Sequence, residues 1–157
     1  MSALLRALAI GAAAGAAGST ALNAVTYLDM AVRGRPASGT PGQTVQRLSE
    51  VTRLPVPGEG ESRENRVAGL GPLAGLITGV GSGVLLALAR AAGWRPGLVT
   101  EAGVAAGLAL LGSNGPMTAL GVTDPRTWPA SSWVSDVVPH LAYGAVAAGV
   151  LRGLAGD

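Results

Sequence analysis

The chain of 157 residues has no cysteine, no phenylalanine and no lysine, a single histidine, and charged side chains at only 13% of its positions. Each absence removes a class of function. Without cysteine there is no disulfide, no thiolate nucleophile and no thiolate metal site, and redox compartment cannot be read. One histidine leaves only carboxylates to complete a metal shell, so no metal is expected. All basic charge is arginine, spread over loops rather than gathered in a patch, so nucleic acid is not an expected partner. Aromatic and β-branched runs are too scarce for the alternating segments, about ten residues long, of a transmembrane barrel. No phosphate loop, dinucleotide fingerprint or nucleophile elbow occurs, and no cofactor is expected.

What is present is Ala, Gly, Leu and Val, with a mean hydropathy of +0.42, which points away from a soluble surface. Charge is missing between Arg6 and Asp29, between Arg66 and Arg90, between Glu101 and Asp124, and between Asp136 and Arg152. The first three windows exceed the roughly 18 residues that make a spanning helix a candidate. The fourth is long enough once Asp136 is accepted near its start. Only helices satisfy their backbone in lipid with such sequences. The expectation is an all-α fold, a four-transmembrane-helix bundle in one membrane domain (1–157), with helices at about 3–31, 67–91, 97–120 and 133–154 and a polar loop over 33–66. The first 24 residues also fit a secretory signal, with Arg6, an Ala-rich run and an A-x-A-like site at Ala21-Leu22-Asn23-Ala24. The apolar run continues past the usual signal length, so a retained helix is expected.

Within the loop, Thr40 as N-cap and Pro41 at the first helical position predict a short helix. Val45, Leu48 and Val51 fall on one side of it and Gln46, Glu50 and Arg53 on the other, a modest amphipathic pattern. It is either a solvated loop helix or one lying on the membrane surface or capping the bundle. The acidic run Glu59, Glu61 and Glu64, interleaved with Arg63 and Arg66, reads as a linker rather than a calcium loop. In the second long helix, Gly71, Gly75, Gly79 and Gly83 recur every four residues. That spacing predicts a close-contact seam, inside the bundle or between protomers. Glu101 suits the positive start of the third helix and is placed to meet Arg95. Pro116 and Pro139 predict kinks or early loosening.

The stretch from Asp124 to Gly144 holds the histidine and two of the three tryptophans. Trp128 and Trp133 mark an interface where the fourth helix enters the bilayer. Asp136, His140 and Tyr143 share one helical face, and a carboxylate one turn from an imidazole can hold its tautomer. Counting about 1.5 Å per residue, Asn23, Asn114 and His140 lie on the order of 10 Å below the side that carries the two long loops. Tyr27 and Asp29 belong to the same polar end of the first helix. The layer of Asn23, Tyr27, Asp29, Asn114, Asp136, His140 and Tyr143 is either interhelical hydrogen-bond glue or a solute or proton site. A Ser82–His140 dyad is disfavoured, because Ser82 lies roughly 12 to 15 Å deeper by the same count. No catalytic residue is expected.

Two segments, 18–38 and 112–131, share a helix end, an Asp, an Arg and a Pro-Ala-Ser, which is consistent with a duplicated helical hairpin. The order GVTDPRTWPASSWVSDVVPHLAYGAVAAGVLRG resembles the C-terminal end of the YagU-like bacterial inner-membrane proteins. There a Gly-Leu-Thr-Pro-like turn and a Trp precede an acidic residue, and a His-Leu pair opens the final helix. The matching positions are Gly121, Thr123, Pro125, Trp133, Asp136, His140 and Leu141. Pro139 and Tyr143 depart from that pattern. The chain is also similar to small actinobacterial membrane proteins. The resemblance covers about a fifth of the chain and implies a multi-pass protein of the bacterial cytoplasmic (inner) membrane; it supplies no chemistry.

Arginines at 33, 35, 47, 53, 63, 66 and 126 lie on the two-loop side and those at 6, 90, 95 and 152 on the other. Positive-inside counting puts both termini outside, whereas the resemblance favours an inside C-terminus. The expected function is a non-enzymatic accessory or self-associating bundle, a homo-oligomer or a subunit of a larger membrane complex, with the lipid bilayer as its surroundings. The alternative is a small-solute or proton transporter or channel built on the polar layer around His140.

Overall fold

The structure is a computed structural model that describes residues 2–156. It contains α1 (Ala3–Arg33), α2 (Thr40–Thr52), α3 (Gly60–Ala91), α4 (Leu98–Ala119), a 3-10 turn at Pro125–Thr127 and α5 (Ala130–Ala155), with no strand among the described residues. Three of these, α1, α3 and α5, are long and apolar enough to cross a membrane. α4 has 22 residues, but Glu101 at one end and the Gly112–Pro116 run at the other shorten its apolar stretch. At about 1.5 Å per residue, α1 and α3 are each near 46 Å long, beyond the roughly 30 Å hydrocarbon core. Their polar ends, Asn23–Arg33 on α1 and Glu61–Arg66 on α3, supply the excess at one end of the bundle.

Helix ends follow local chemistry. Ser2 caps α1, its Oγ accepting from the Leu5 amide at 3.3 Å, and Gly34 closes it in the left-handed region at φ 61°. α2 begins at Thr40 itself, so Gly39 takes the cap position and Pro41 sits inside the first turn. The largest departure is α3, which starts at Gly60 and absorbs Glu61–Arg66, expected to be linker. Arg66 secures that start by donating to the Pro57 carbonyl at 2.8 Å and Ser62 Oγ at 3.0 Å. Pro72, Pro116 and Pro139 all lie within continuous helix. α4 runs on to Ala119 past Pro116, and α5 begins at Ala130, three residues before the expected start at 133.

The long helices alternate in direction. α1 packs against both α3 and α5, α5 against α4, while α3 and α4 touch far less. The reason lies in side-chain size. A Cβ on Gly83 would fall 2.6 Å from Gly15 Cα, and one on Gly15 would fall 2.6 Å from the Gly79 carbonyl oxygen. The backbones of α1 and α3 are therefore in contact, as close-packing small residues permit. The four-glycine stripe does not act as one seam. Gly79 and Gly83 meet α1, Gly71 meets Pro41 and Gly42 of α2, and Gly75 faces open space. Gly144 makes the matching close approach to Ala102 and Ala106 on α4. The core collects between these seams: Ala14, Leu86, Ala87, Ala105, Ala109, Tyr143, Ala147 and Leu151. A duplicated hairpin would make α1–α5 and α3–α4 equivalent interfaces, yet only the former is well packed.

Outward-facing side chains are apolar. Ile77, Val99 and Leu111 are 65%, 86% and 70% exposed, as expected where lipid or another protein supplies the missing contact.

Gly83→Leu is expected to lower the melting temperature of the detergent-solubilised protein, since overpacking of this kind costs about 1–3 kcal/mol. Gly75→Leu, with nothing within 4 Å of its added Cβ, should melt like the parent. Equal losses from the two would remove the α1–α3 seam from the account.

Candidate functional site

The polar residues of α4 and α5 meet near the two-loop end. Pro139 cannot donate an amide hydrogen to the carbonyl one turn earlier. One residue on, His140 Nδ1 lies 2.7 Å from the Asp136 carbonyl oxygen, and 3.6 Å from Asp136 Oδ1. A carbonyl only accepts, so Nδ1 carries a proton and donates it there. Nε2 faces Ser113 Oγ at 3.3 Å. Asn114 Nδ2 donates to Asp136 Oδ2 at 2.7 Å. The pairs Ser113–His140 and Asn114–Asp136 thus tie α4 to α5 by two adjacent hydrogen bonds.

The other expected members lie elsewhere. Asn23 is half-buried on α1 and takes no part in these bonds. Tyr27 is 63% exposed. Asp29 is held by Arg33 at 2.7 Å and Arg35 at 2.5 Å at the polar end of α1, and Arg33 also bonds Ser135 Oγ of α5. Tyr143 is fully buried, and its hydroxyl donates to the Gly79 carbonyl of α3 at 2.6 Å. Its ring fills the space that Gly18 leaves on α1. It shares a helical face with His140 by spacing but serves a different contact.

Ser113 was not singled out by sequence, and it supplies the arrangement considered there for Ser82. A hydroxyl beside an imidazole with a carboxylate behind it is the outline of a nucleophilic triad. The geometry argues against that chemistry. Ser113 Oγ already reaches the carbonyls of Ala109 at 3.0 Å and Leu110 at 3.1 Å. His140 Nδ1 bonds a backbone carbonyl instead of the carboxylate, and Asp136 Oδ2 is taken by Asn114. Ser113 sits inside a regular helix, whose amides are committed to its own carbonyls, so no oxyanion donors converge there. Among the described residues no group of three or more His, Asp or Glu side chains is placed to hold a metal ion.

At the opposite end a second polar centre forms that spacing did not show. Glu101, fully buried, accepts from Arg90 Nη1 at 2.7 and 2.9 Å and from Arg152 Nε at 2.6 Å. Arg152 also bonds the Pro96 carbonyl. The expected Glu101–Arg95 pairing is replaced by this bridge joining the ends of α3 and α5 to the start of α4. The signal was available: Arg90 closes α3 and Glu101 opens α4 across a short turn, so both lie at one depth.

On the loop between α4 and α5, Arg126 bonds Asp124 through its guanidinium at 2.9 Å and its backbone amide at 3.1 Å. These bonds hold the Asp124 carboxyl below its ordinary 3.8. Trp128 Nε1 donates to Thr123 Oγ1 at 2.7 Å, and its ring stacks edge-on against Trp133 with centroids 5.2 Å apart. A lowered folded-state pKa means the contact is complete above the ordinary carboxylate range and lost as pH falls through the lowered value. Trp fluorescence should therefore hold constant from pH 8 to 5 and change only under stronger acid; a change centred near neutral pH would contradict the clasp.

No family model, no curated protein and no solved structure matches the chain.

Glu101→Ala would leave two guanidinium groups facing each other without their counter-charge. Breaking a buried bridge costs about 3–5 kcal/mol, and Arg152, a quarter exposed, keeps enough hydration to favour the lower value. Thermal unfolding in detergent should show that loss; unchanged melting would mean the bridge is unimportant.

Proposed function

We propose that the chain is a non-enzymatic integral membrane protein with four spanning helices, α4 included, that serves as an accessory subunit of a larger assembly in the bacterial cytoplasmic membrane. The carrying observation is the division of its chemistry. No buried side-chain nitrogen or oxygen among the described residues lacks a hydrogen-bond partner, while apolar side chains of α3 and α4 face outward. Polar groups spent on one another hold helices together; an outward apolar face requires lipid or protein against it. The glycines that would serve self-association through α3 are largely occupied by α1 and α2, which favours a heterologous partner over a homo-oligomer. The likeness of residues 121–153 to the YagU-like inner-membrane proteins fits this reading.

A second reading, a proton or small-solute path, is favoured by one observation: Ser113, His140, Asp136 and Asn114 form a continuous polar chain across two helices. Intramembrane ionisable residues are functional candidates by default. Against it, neither described cleft borders His140.

Liposomes carrying the protein should pass protons and small solutes no faster than empty ones, and His140→Ala should leave that unchanged while lowering thermal stability. Flux that His140→Ala abolishes would establish the second reading in place of the first. Crosslinking in the native membrane should capture a heterologous partner; a protein that is monomeric in mild detergent and crosslinks to nothing would refute the accessory role.

A further inference from the structure

Beyond the accessory role, though resting on its placement of the chain in a bilayer, the short helix α2 carries an apolar flank that the described residues leave open. At about 100° per residue, Leu48 and Val51 lie side by side between Val45, which is half-buried, and Arg47. Gln43, Gln46 and Glu50 take the opposite side, and both Leu48 and Val51 are exposed. The helix stops where Arg53 enters the left-handed region at φ 57°. Ser49 then clasps the chain that follows, its hydroxyl donating to the Leu54 carbonyl at 2.8 Å and accepting from the Val56 amide at 3.3 Å. With the chain held so, Val56 is buried at 8% exposure while Leu54 stands out at 73%.

What α2 touches sets its depth. A Cβ on Gly71 of α3 would fall 3.0 Å from the Pro41 carbonyl carbon and 3.1 Å from the Gly42 nitrogen. α2 therefore crosses α3 against its backbone, just past Arg66, where charge gives way to the apolar span. Arg47 Nε donates to the Leu120 carbonyl at 3.3 Å, where α4 ends. The Trp128–Trp133 pair stands at the entry of α5, and tryptophan settles at the headgroup level. Three helices thus mark one height, the boundary between charged and apolar chain, and α2 lies at it. Leu70 and Leu73, on either side of the Gly71 contact, are themselves exposed, so apolar surface is open on both helices at this height. A soluble partner could cover such a flank at any height, whereas a bilayer requires this one.

We propose that α2 is an in-plane membrane anchor: Leu48, Val51 and Leu54 enter the boundary between headgroups and acyl chains, about 5–10 Å deep, while Gln43, Gln46 and Glu50 stay in water. The anchor ties the loop between α1 and α3 to the surface and sets how far this end of the bundle sinks. The chain has no cysteine, so single cysteines can carry spin labels without background. The full chain, labelled at Leu48→Cys, Val51→Cys, Leu54→Cys, Gln46→Cys or Glu50→Cys, is placed in vesicles of phosphatidylcholine and phosphatidylglycerol in equal parts. Collision with oxygen, which partitions into lipid, is compared with collision with a water-soluble nickel chelate. At 48, 51 and 54 oxygen should dominate, reporting a depth of about 5–10 Å. At 46 and 50 the nickel chelate should dominate, and each labelled protein should melt like the parent. Nickel dominance at all five positions would make α2 a solvated loop helix and overturn the proposal. Protection from both colliders at 51 and 54 would mean that protein covers the flank, which overturns it equally. A label at Ile77→Cys, exposed on α3, reads the bilayer placement separately. Oxygen dominance there with nickel dominance on α2 refutes the anchor alone, whereas nickel dominance at Ile77→Cys refutes the placement beneath it.

Discussion

Contact between the backbones of α1 and α3 is the constraint on which the remaining structure depends. In lipid the helices gain nothing from burying apolar surface against each other, because acyl chains are equally apolar, so association relies on close packing. Gly11 and Gly15 on one side and Gly79 and Gly83 on the other remove the side chains that would hold the helices apart. Once α1 is seated there, its next turn presents Gly18 to α5, and the Tyr143 ring occupies the space beside it. The Tyr143 hydroxyl then reaches across to Gly79, so one side chain joins all three helices. α4 is attached mainly through α5, and the sparse α3–α4 contact with its exposed apolar side chains follows from that order.

Polar groups complete this arrangement at two depths. Interhelical hydrogen bonds in lipid contribute on the order of 0.6 kcal/mol each, so Ser113–His140 and Asn114–Asp136 orient α4 on α5 more than they stabilise the bundle. The Arg90–Glu101–Arg152 bridge differs in kind, because its members are charged and largely withdrawn from water. Retaining it fixes the relative height of three helix ends, a registry role that buried ionic groups can serve.

Much of this was legible in the residues. Charge-free windows locate the long helices, Thr40 and Pro41 announce α2, and spacing puts Asp136 one turn from His140. The start of α3 was hidden because Glu61–Arg66 shows no apolar periodicity, although Glu and Arg are good helix formers and simply prolong the helix into water. Depth counting set Asn23 level with His140, but depth says nothing of azimuth. α1 turns its small residues, not Asn23, toward the bundle, and Ser113 rather than Asn114 faces the imidazole. Arg152 could be paired with Glu101 only once α5 was known to lie beside α4.

The central claim is that the intramembrane polar groups are ties between helices rather than a wet path. The nitrogen-15 spectrum of the His140 imidazole in bilayers tests it most directly. The account predicts a ring protonated at Nδ1, held on the Asp136 carbonyl, whose Nδ1 proton exchanges slowly with water. A ring with no proton at Nδ1, or one exchanging rapidly between tautomers in contact with water, would contradict it.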